Sequence, residues 1–453
     1  MSISSFLLKV TNRCNFDCDH CYFRHKADLS YNSRPADMSD QTLELFGASL
    51  GEYVRDSGLA EVEIVFHGGE PLILGISYIE RAINTIKSFL PSKVNIHFAV
   101  QTNGALIDSV VIDTFHKLDV SISVSLDGPS IAQDRHRRFA NGRSSFDVVS
   151  GNIQKYLLDG AGRDIYDGLL AVIDLHNNPL LVFECLETHA PRSLDFLLPD
   201  GTHENPPPGI TRENFRSHRE YADWLIDIFD FWFDRGEHNI KIRLFDNIMA
   251  LLIGGQSDTE GIGKQSLSFL TIETDGEIRD SDVLGVAFEH ASRFGDGHFL
   301  GERCFEKLLN SNDFQKKLRL YSSTSLCSEC SVCYWRGICG GGFLAHRYFG
   351  DNGFSNPSIY CGNIQALLKH VRTRIKKKLE QCGDECAKTE EGVFTARHDN
   401  LNFCIDAQSF SRKWDIPITS NDEMTLFRSG AHGNLSETGC VDIPEGLILT
   451  PEH

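Results

Sequence analysis

Three cysteines spaced as Cys14-x3-Cys18-x2-Cys21, just after the apolar run Phe6-Leu7-Leu8-Lys9-Val10, constrain this chain more than any other feature. Thiols at this spacing on one loop can all face one metal centre, and soft sulfur ligands select iron-sulfur clusters, zinc or cuprous copper. The next cysteine in the chain is Cys185, so no fourth ligand lies close by to complete the site. The protein would hold three irons of a four-iron cubane and leave the fourth open. An open coordination position is what a catalytic metal site needs and a structural one avoids. A zinc knuckle or a set of buried thiols is the structural alternative.

The C-x3-C-x2-C pattern after a first strand, with the aromatic Tyr22 following, resembles the radical S-adenosylmethionine (radical SAM) enzymes. The resemblance implies that the amino and carboxylate groups of S-adenosylmethionine chelate the open iron, with Tyr22 among the cofactor contacts. It also implies that the reduced cluster cleaves the cofactor to a 5′-deoxyadenosyl radical.

Composition narrows the rest. A length of 453 residues suggests about three domains. Apolar residues at 41% and charged residues at 24% are ordinary for a globular protein with a large core. A net charge of −19 argues against a nucleic-acid partner, since phosphate neutralisation needs a basic surface. The start, Met1-Ser2-Ile3-Ser4-Ser5, has no basic region or apolar signal core, and no run of about 18 apolar residues occurs. A cytoplasmic protein with no membrane contact is expected. The 14 cysteines are clustered and too sparse for a disulfide scaffold, which points to metal sites in a reducing compartment.

Along the chain, Met38-Ser39-Asp40 precedes a periodic apolar set, Leu43, Leu45, Phe46, Leu50 and Val54, that reads as a capped helix. Glu61–Phe66 alternates as a strand and ends in His67-Gly68-Gly69-Glu70-Pro71, where glycines let the backbone approach a ligand at a strand's carboxyl end. Asn95–Val100 leads into Gln101-Thr102-Asn103-Gly104, and Val120–Leu126 into Asp127-Gly128-Pro129. Strands separated by helical patterns predict parallel β/α units. The resemblance makes Gly68, Gly69 and Glu70 the motif that binds the cofactor's amino group, and adds Asn103, Ser125 and Arg137 as cofactor contacts. Arg137 is carried over by its spacing of twelve from Ser125, so Arg135 and Arg138 compete with it. Gly168–Asp174 and Ser193–Pro199 read as two more strands. The Pro206-Pro207-Pro208 loop that follows belongs at the barrel mouth, with His203 and Glu204 as acid/base candidates against a solvated-loop reading. Trp224, Leu225, Ile228, Phe231 and Trp232 form a core-facing helical stripe.

A second set, Cys327, Cys330, Cys333 and Cys339 followed by Cys361, resembles the SPASM extension of peptide-maturing radical SAM enzymes. That resemblance assigns Cys330, Cys333, Cys339 and Cys361 to one auxiliary four-iron cluster; structural zinc is the alternative. A second auxiliary cluster would need cysteines where Phe343 and Ser281 stand. Cys304 and Cys327 are left as spare thiols or alternative ligands. Asp282 occupies the place of a catalytic base in sulfatase maturases, with Asp280 as its competitor.

The words Ser193–His203, Tyr221-Ala222-Asp223-Trp224-Leu225, Cys339-Gly340-Gly341-Gly342 and Gly353–Cys361 resemble the FxsB-like peptide maturases, a group that includes three-residue cyclophane-forming enzymes. Expected, then, is an α/β fold: a partial (β/α)6 TIM-like barrel over residues 1–240, a smaller SPASM-type iron-sulfur domain over 241–380, and a tail, 381–453, that caps the site or binds peptide. The implied cofactors are S-adenosylmethionine, one catalytic [4Fe-4S] cluster and one auxiliary [4Fe-4S] cluster. The implied reaction joins an unactivated β-carbon of a ribosomally made precursor peptide to an aromatic side chain. A flavodoxin- or ferredoxin-type reductant serves it, and the peptide is recognised within the barrel, the SPASM region or the tail. Epimerisation, thioether formation, dehydrogenation and sulfatase-type maturation are the alternatives.

Overall fold

A computed structural model describes residues 3–236, 240–263 and 266–382 together with three short strands, Cys386–Lys388, Val393–His398 and Leu401–Asp406. Most of the expected tail segment therefore lies outside the described residues. The three short strands form an antiparallel sheet of their own.

The main sheet runs β10-β9-β8-β1-β2-β3-β4-β5-β6-β7. Its parallel part is β1 (Ser5–Thr11), β2 (Glu61–Gly68), β3 (Asn95–Thr102), β4 (Val120–Ser125), β5 (Tyr166–Val172), β6 (Ser193–Leu197) and the short β7 (Lys241–Ile242). Helices cross between successive strands, and the six longer strands are the partial barrel that the alternating strand and helix patterns predict.

Side-chain alternation explains how the sheet is packed. Phe6, Leu8 and Val10 are buried on one face of β1, where Phe6 meets the ring of Phe46 at 6.0 Å on the helix Asp40–Ser57. Ser39 caps that helix by accepting from Thr42 N, and Gly58 ends it in the left-handed conformation. Positions of the opposite parity, among them Lys9, His67, Gln101 and Ser125, face the barrel interior. They are polar or small because this interior opens onto a site instead of closing as a core.

The expected boundary at 240/241 is crossed by the sheet. β8 (Phe269–Ile272) pairs parallel with β1, and β9 (Glu277–Arg279) and β10 (Arg293–Phe299) continue antiparallel from it. β1 would otherwise be an edge strand with unpaired backbone groups. The sheet thus carries the segment after β9 to the barrel mouth, where the strands β1 to β4 also end.

Candidate active site and two cysteine groups

The cysteine loop leaves β1 at Thr11 and is fixed from two sides. Beneath it, Gly69 N donates to Thr11 O and Glu70 N to Arg13 O. A Cβ at Gly68 would stand 2.2 Å from Thr11 O, and one at Gly69 would stand 2.2 Å from Arg13 O. These positions must be glycine because the loop's own backbone fills the space. Across from it, Asp17 N donates to Arg138 O and Ala140 N to Asn15 O, and the Phe16 and Phe139 rings meet edge to face at 4.8 Å.

Cys14, Cys18 and Cys21 are half-buried on this loop. Burial pushes the Cys14 thiol up to about 11 and the Cys18 thiol up to about 12, the latter opposed by the Arg137 guanidinium. Arg137 Nε donates to Asp127 Oδ2 at 2.8 Å, and Cys18 and Cys21 lie close enough to act on its charge. The competitors turn elsewhere: Arg135 pairs with Asp174 at 3.2 Å and Arg138 donates to Gly142 O. Ser125 Oγ accepts from Gln101 Nε2 at 3.1 Å, and the Asn103 amide donates to Asn15 Oδ1 at 2.7 Å. Asn103 is thereby tied to the cysteine loop.

Glu70 is fully buried, and its two oxygens accept from Leu72 N at 3.0 Å, the Thr102 hydroxyl at 2.8 Å and Asn103 N at 2.7 Å. It thereby braces the ends of β2 and β3, with one of about four carboxylate acceptor sites left over. Glu70→Ala would orphan these donors, and urea unfolding should show a loss of about 3 kcal/mol or more.

Tyr22 points to the opposite wall. Its hydroxyl donates to Asp282 Oδ2 at 2.7 Å, and Lys9 Nζ sits 2.9 Å from the same oxygen and 3.6 Å from Glu273 Oε1. Burial acts upward on the Asp282 carboxyl, but Lys9, His67 and the two hydrogen bonds outweigh it and hold it below the usual carboxylate range. Asp282 is therefore ionised and a weak base. Asp280 is buried too, accepting from the Tyr321 hydroxyl at 2.8 Å. Half-buried Glu260 stands near both: burial first, then Asp280 and Asp282, push its carboxyl up to about 8. Glu260 carries no motif and was not legible in the sequence; Lys9 was signalled by its charge inside an apolar strand.

Cys330, Cys333, Cys339 and Cys361 form the second group, each acting electrostatically on others of the set. Cys327, left by the sequence as a spare thiol or an alternative ligand, lies beside them and hydrogen-bonds with Cys330. Cys304 does not: it is buried against Ser49 and the core. Ser281 is buried with its side chain beside the Glu260 carboxyl, and Phe343 packs on the His346 ring at 5.2 Å. His203 and Glu204 are structural, since His203 Nε2 lies 2.8 Å from Pro357 O and Glu204 accepts from Gly350 N at 2.9 Å.

Three thiols on the first loop and five in the second group are soft donor sets of the kind that hold iron-sulfur clusters. At the second group a further sign is Arg347, buried with Nε and Nη2 unpartnered and facing Cys339, Cys330 and Cys327. An unpaired buried cation calls for negative charge, which metal-bound thiolates provide.

Comparison with known proteins agrees with this geometry. Residues 8–160 match the Radical SAM superfamily. The chain is 24% identical over 376 residues to a cysteine-type anaerobic sulfatase-maturating enzyme of Clostridium novyi, covering 81% of this chain and 95% of that one. It is 26% identical over 372 residues to a serine-type enzyme of Bacteroides thetaiotaomicron, covering 79% and 86%. Among solved structures, native anSMEcpe with bound AdoMet and the Kp18Cys peptide superposes with a TM-score of 0.70 at 19% identity, over 83% of this chain and 99% of that one. Streptococcus suis SuiB bound to its precursor peptide SuiA superposes with a TM-score of 0.51 at 13% identity, over 79% and 75%.

Proposed function

From the premise that residues 8–160 are a radical SAM domain, and the chain therefore an enzyme using S-adenosylmethionine and four-iron clusters, we propose that it modifies a peptide by joining an unactivated β-carbon to an aromatic side chain. One observation carries the reading: a buried polar chain, Tyr22–Asp282–Lys9 with Glu260, Asp280 and Tyr321 beside it, runs from the first cysteine group toward the second. Structural neighbours support a peptide substrate, since anSMEcpe and SuiB have been solved with bound peptides.

In this reading Cys14, Cys18 and Cys21 hold the catalytic cluster, and Gly68, Gly69, Glu70, Asn103, Ser125, Arg137 and Tyr22 line the cofactor's place. Cys330, Cys333, Cys339 and Cys361 hold the auxiliary cluster. S-adenosylmethionine bound at the reduced catalytic cluster supplies a 5′-deoxyadenosyl radical able to take a hydrogen atom from carbon. Forming the carbon-carbon bond on an aromatic ring leaves one proton and one electron to be removed. Asp282, doubly held, positions Tyr22 and Lys9; Glu260, with its raised carboxyl, is the better proton acceptor. An external flavodoxin- or ferredoxin-type protein supplies the electron that starts each turnover.

Mass spectrometry of a small aromatic-containing precursor peptide, co-expressed with the enzyme, tests the proposal. A loss of two hydrogens with a crosslink that resists fragmentation is expected. Formation of a hydrazine-reactive aldehyde from a Cys- or Ser-containing sulfatase peptide, with no crosslinking, would favour the maturase reading instead. The residues where a second auxiliary cluster would need cysteines, Ser281 and Phe343, support the first outcome.

Glu260 gives a pH signature. A carboxyl pushed up to about 8 in the folded protein, from about 4.5 when unfolded, binds a proton more tightly folded across that window. Stability from this group is then fully present at the acid end and is lost as pH rises toward 8. Product formation that needs Glu260 ionised should rise over the same approach to 8. Glu260→Gln should flatten both profiles, read by thermal unfolding and by initial rates from pH 6 to 9; an unchanged rate profile would remove Glu260 from the proton path.

A further inference from the structure

Arg347 is a buried charge with part of its guanidinium unpartnered. It ends a short 3-10 turn, Leu344–Arg347, that follows Gly340-Gly341-Gly342, and these three glycines take φ of 63°, 92° and 70°. The left-handed run turns the chain sharply after Cys339 and brings Arg347 back against the cysteine segment. A Cβ at Gly341 would stand 3.2 Å from Arg347 Nη1 and 2.6 Å from Leu326 Cδ2, and one at Gly340 would stand 1.7 Å from Gly263 O. Glycine is required so that the guanidinium can lie this close to the cysteine backbone.

Arg347 is 1% exposed, and its Nε and Nη2 have no hydrogen-bond partner. Among the described residues no carboxylate pairs with it; the groups facing it are Cys339, Cys330, Cys327 and Tyr321. An arginine stays charged in a protein. A lone buried cation is costly unless an anion stands against it, and among the described residues the groups placed to supply that charge are the thiols of the second group, once ionised by metal binding.

We propose that Arg347 sets the redox poise of the second cysteine site, raising its potential so that it accepts the electron released when the substrate's aromatic ring is restored. This rests on the reading that these cysteines hold an iron-sulfur cluster. A fixed positive charge favours whichever redox state is more negative, which is the reduced one, and burial strengthens the effect because little water screens it. The electron balance is simple: the ring intermediate gives one electron to the cluster and one proton to a carboxylate, and the cluster later returns its electron to an external carrier protein. Arg347 is a positioning residue in this scheme, since it touches neither substrate nor cofactor.

The test uses full-length enzyme carrying Cys14→Ala, Cys18→Ala and Cys21→Ala, so that only the second site can hold a cluster. Iron content and a potentiometric titration followed by electron paramagnetic resonance are measured with Arg347 intact and in Arg347→Met. The proposal expects iron retained and a midpoint at least about 59 mV lower in the Met variant, a tenfold shift in the reduced-to-oxidised ratio for one electron. Arg347→Lys should keep part of the wild-type value, which a purely structural role would not require. Arg347→Gln carries the same expectation as Met and serves if Met costs the fold. A neutral variant that keeps its iron with an unmoved midpoint overturns the role of Arg347. Zinc or no metal in the parent background overturns the cluster reading itself.

Discussion

Cys18→Ala is expected to reduce deoxyadenosine release to background and to remove about four irons per chain from anaerobically reconstituted enzyme. The reason lies in the count of ligands. The loop offers three thiols, and the fixed walls around it, Gly68-Gly69 below and Phe16 against Phe139 across, leave no slack for another residue to replace one. Cys14→Ala and Cys21→Ala carry the same expectation. Cys304→Ala is the control: its thiol lies in the core beside Ser49, away from both groups, so iron content and cofactor cleavage should remain near wild type. Measured iron and chromatographic detection of deoxyadenosine check both statements, and full activity in Cys18→Ala would sink the assignment.

The second large effect is on stability. Lys9→Met should destabilise the protein by about 3–5 kcal/mol, since it strips the partner from a buried carboxylate. Lys9 and Asp282 are both nearly inaccessible, and Glu273 lies 3.6 Å from the same ammonium. Among the described residues, removing the cation leaves Asp282 with the Tyr22 hydroxyl as donor and Glu273 with Arg34, whose Nη1 stands 3.5 Å away. The Asp282 carboxyl should then rise, because the group that most opposes burial is gone. Adding Asp282→Asn to Lys9→Met should recover a good part of the loss. Denaturant unfolding of the two single variants and the double variant measures this, and strict additivity would show that the pair does not act as one unit.

Much of this was legible beforehand, for reasons that differ between elements. The strand runs Glu61–Phe66 and Val120–Leu126 announced themselves by alternation and by turn residues at their ends, and local patterns of that kind survive into the fold because a parallel barrel buries one face of every strand. Cys14, Cys18 and Cys21 were legible because ligand spacing on one loop is a local property. The bracing role of Glu70 was hidden for the opposite reason: a motif records residue types, and only packing shows that its oxygens accept from Leu72, Thr102 and Asn103. Spacing pointed to Arg137 over Arg135 and Arg138, yet its inward turn depends on Asp127 being held at the end of β4.

The sequence by itself determined the barrel class, the two cysteine groups and the chemistry that open iron ligation implies, because each depends on residues near one another along the chain. The tertiary structure alone decided what joins the two groups. β8 lies beside β1, the segment after β9 brings Asp282 to Lys9 and Tyr22, and three left-handed glycines fold Arg347 against Cys339. Those contacts join residues as far apart in sequence as Tyr22 and Asp282, and burial turns them from ordinary surface charges into groups with shifted proton affinity and unpaired charge.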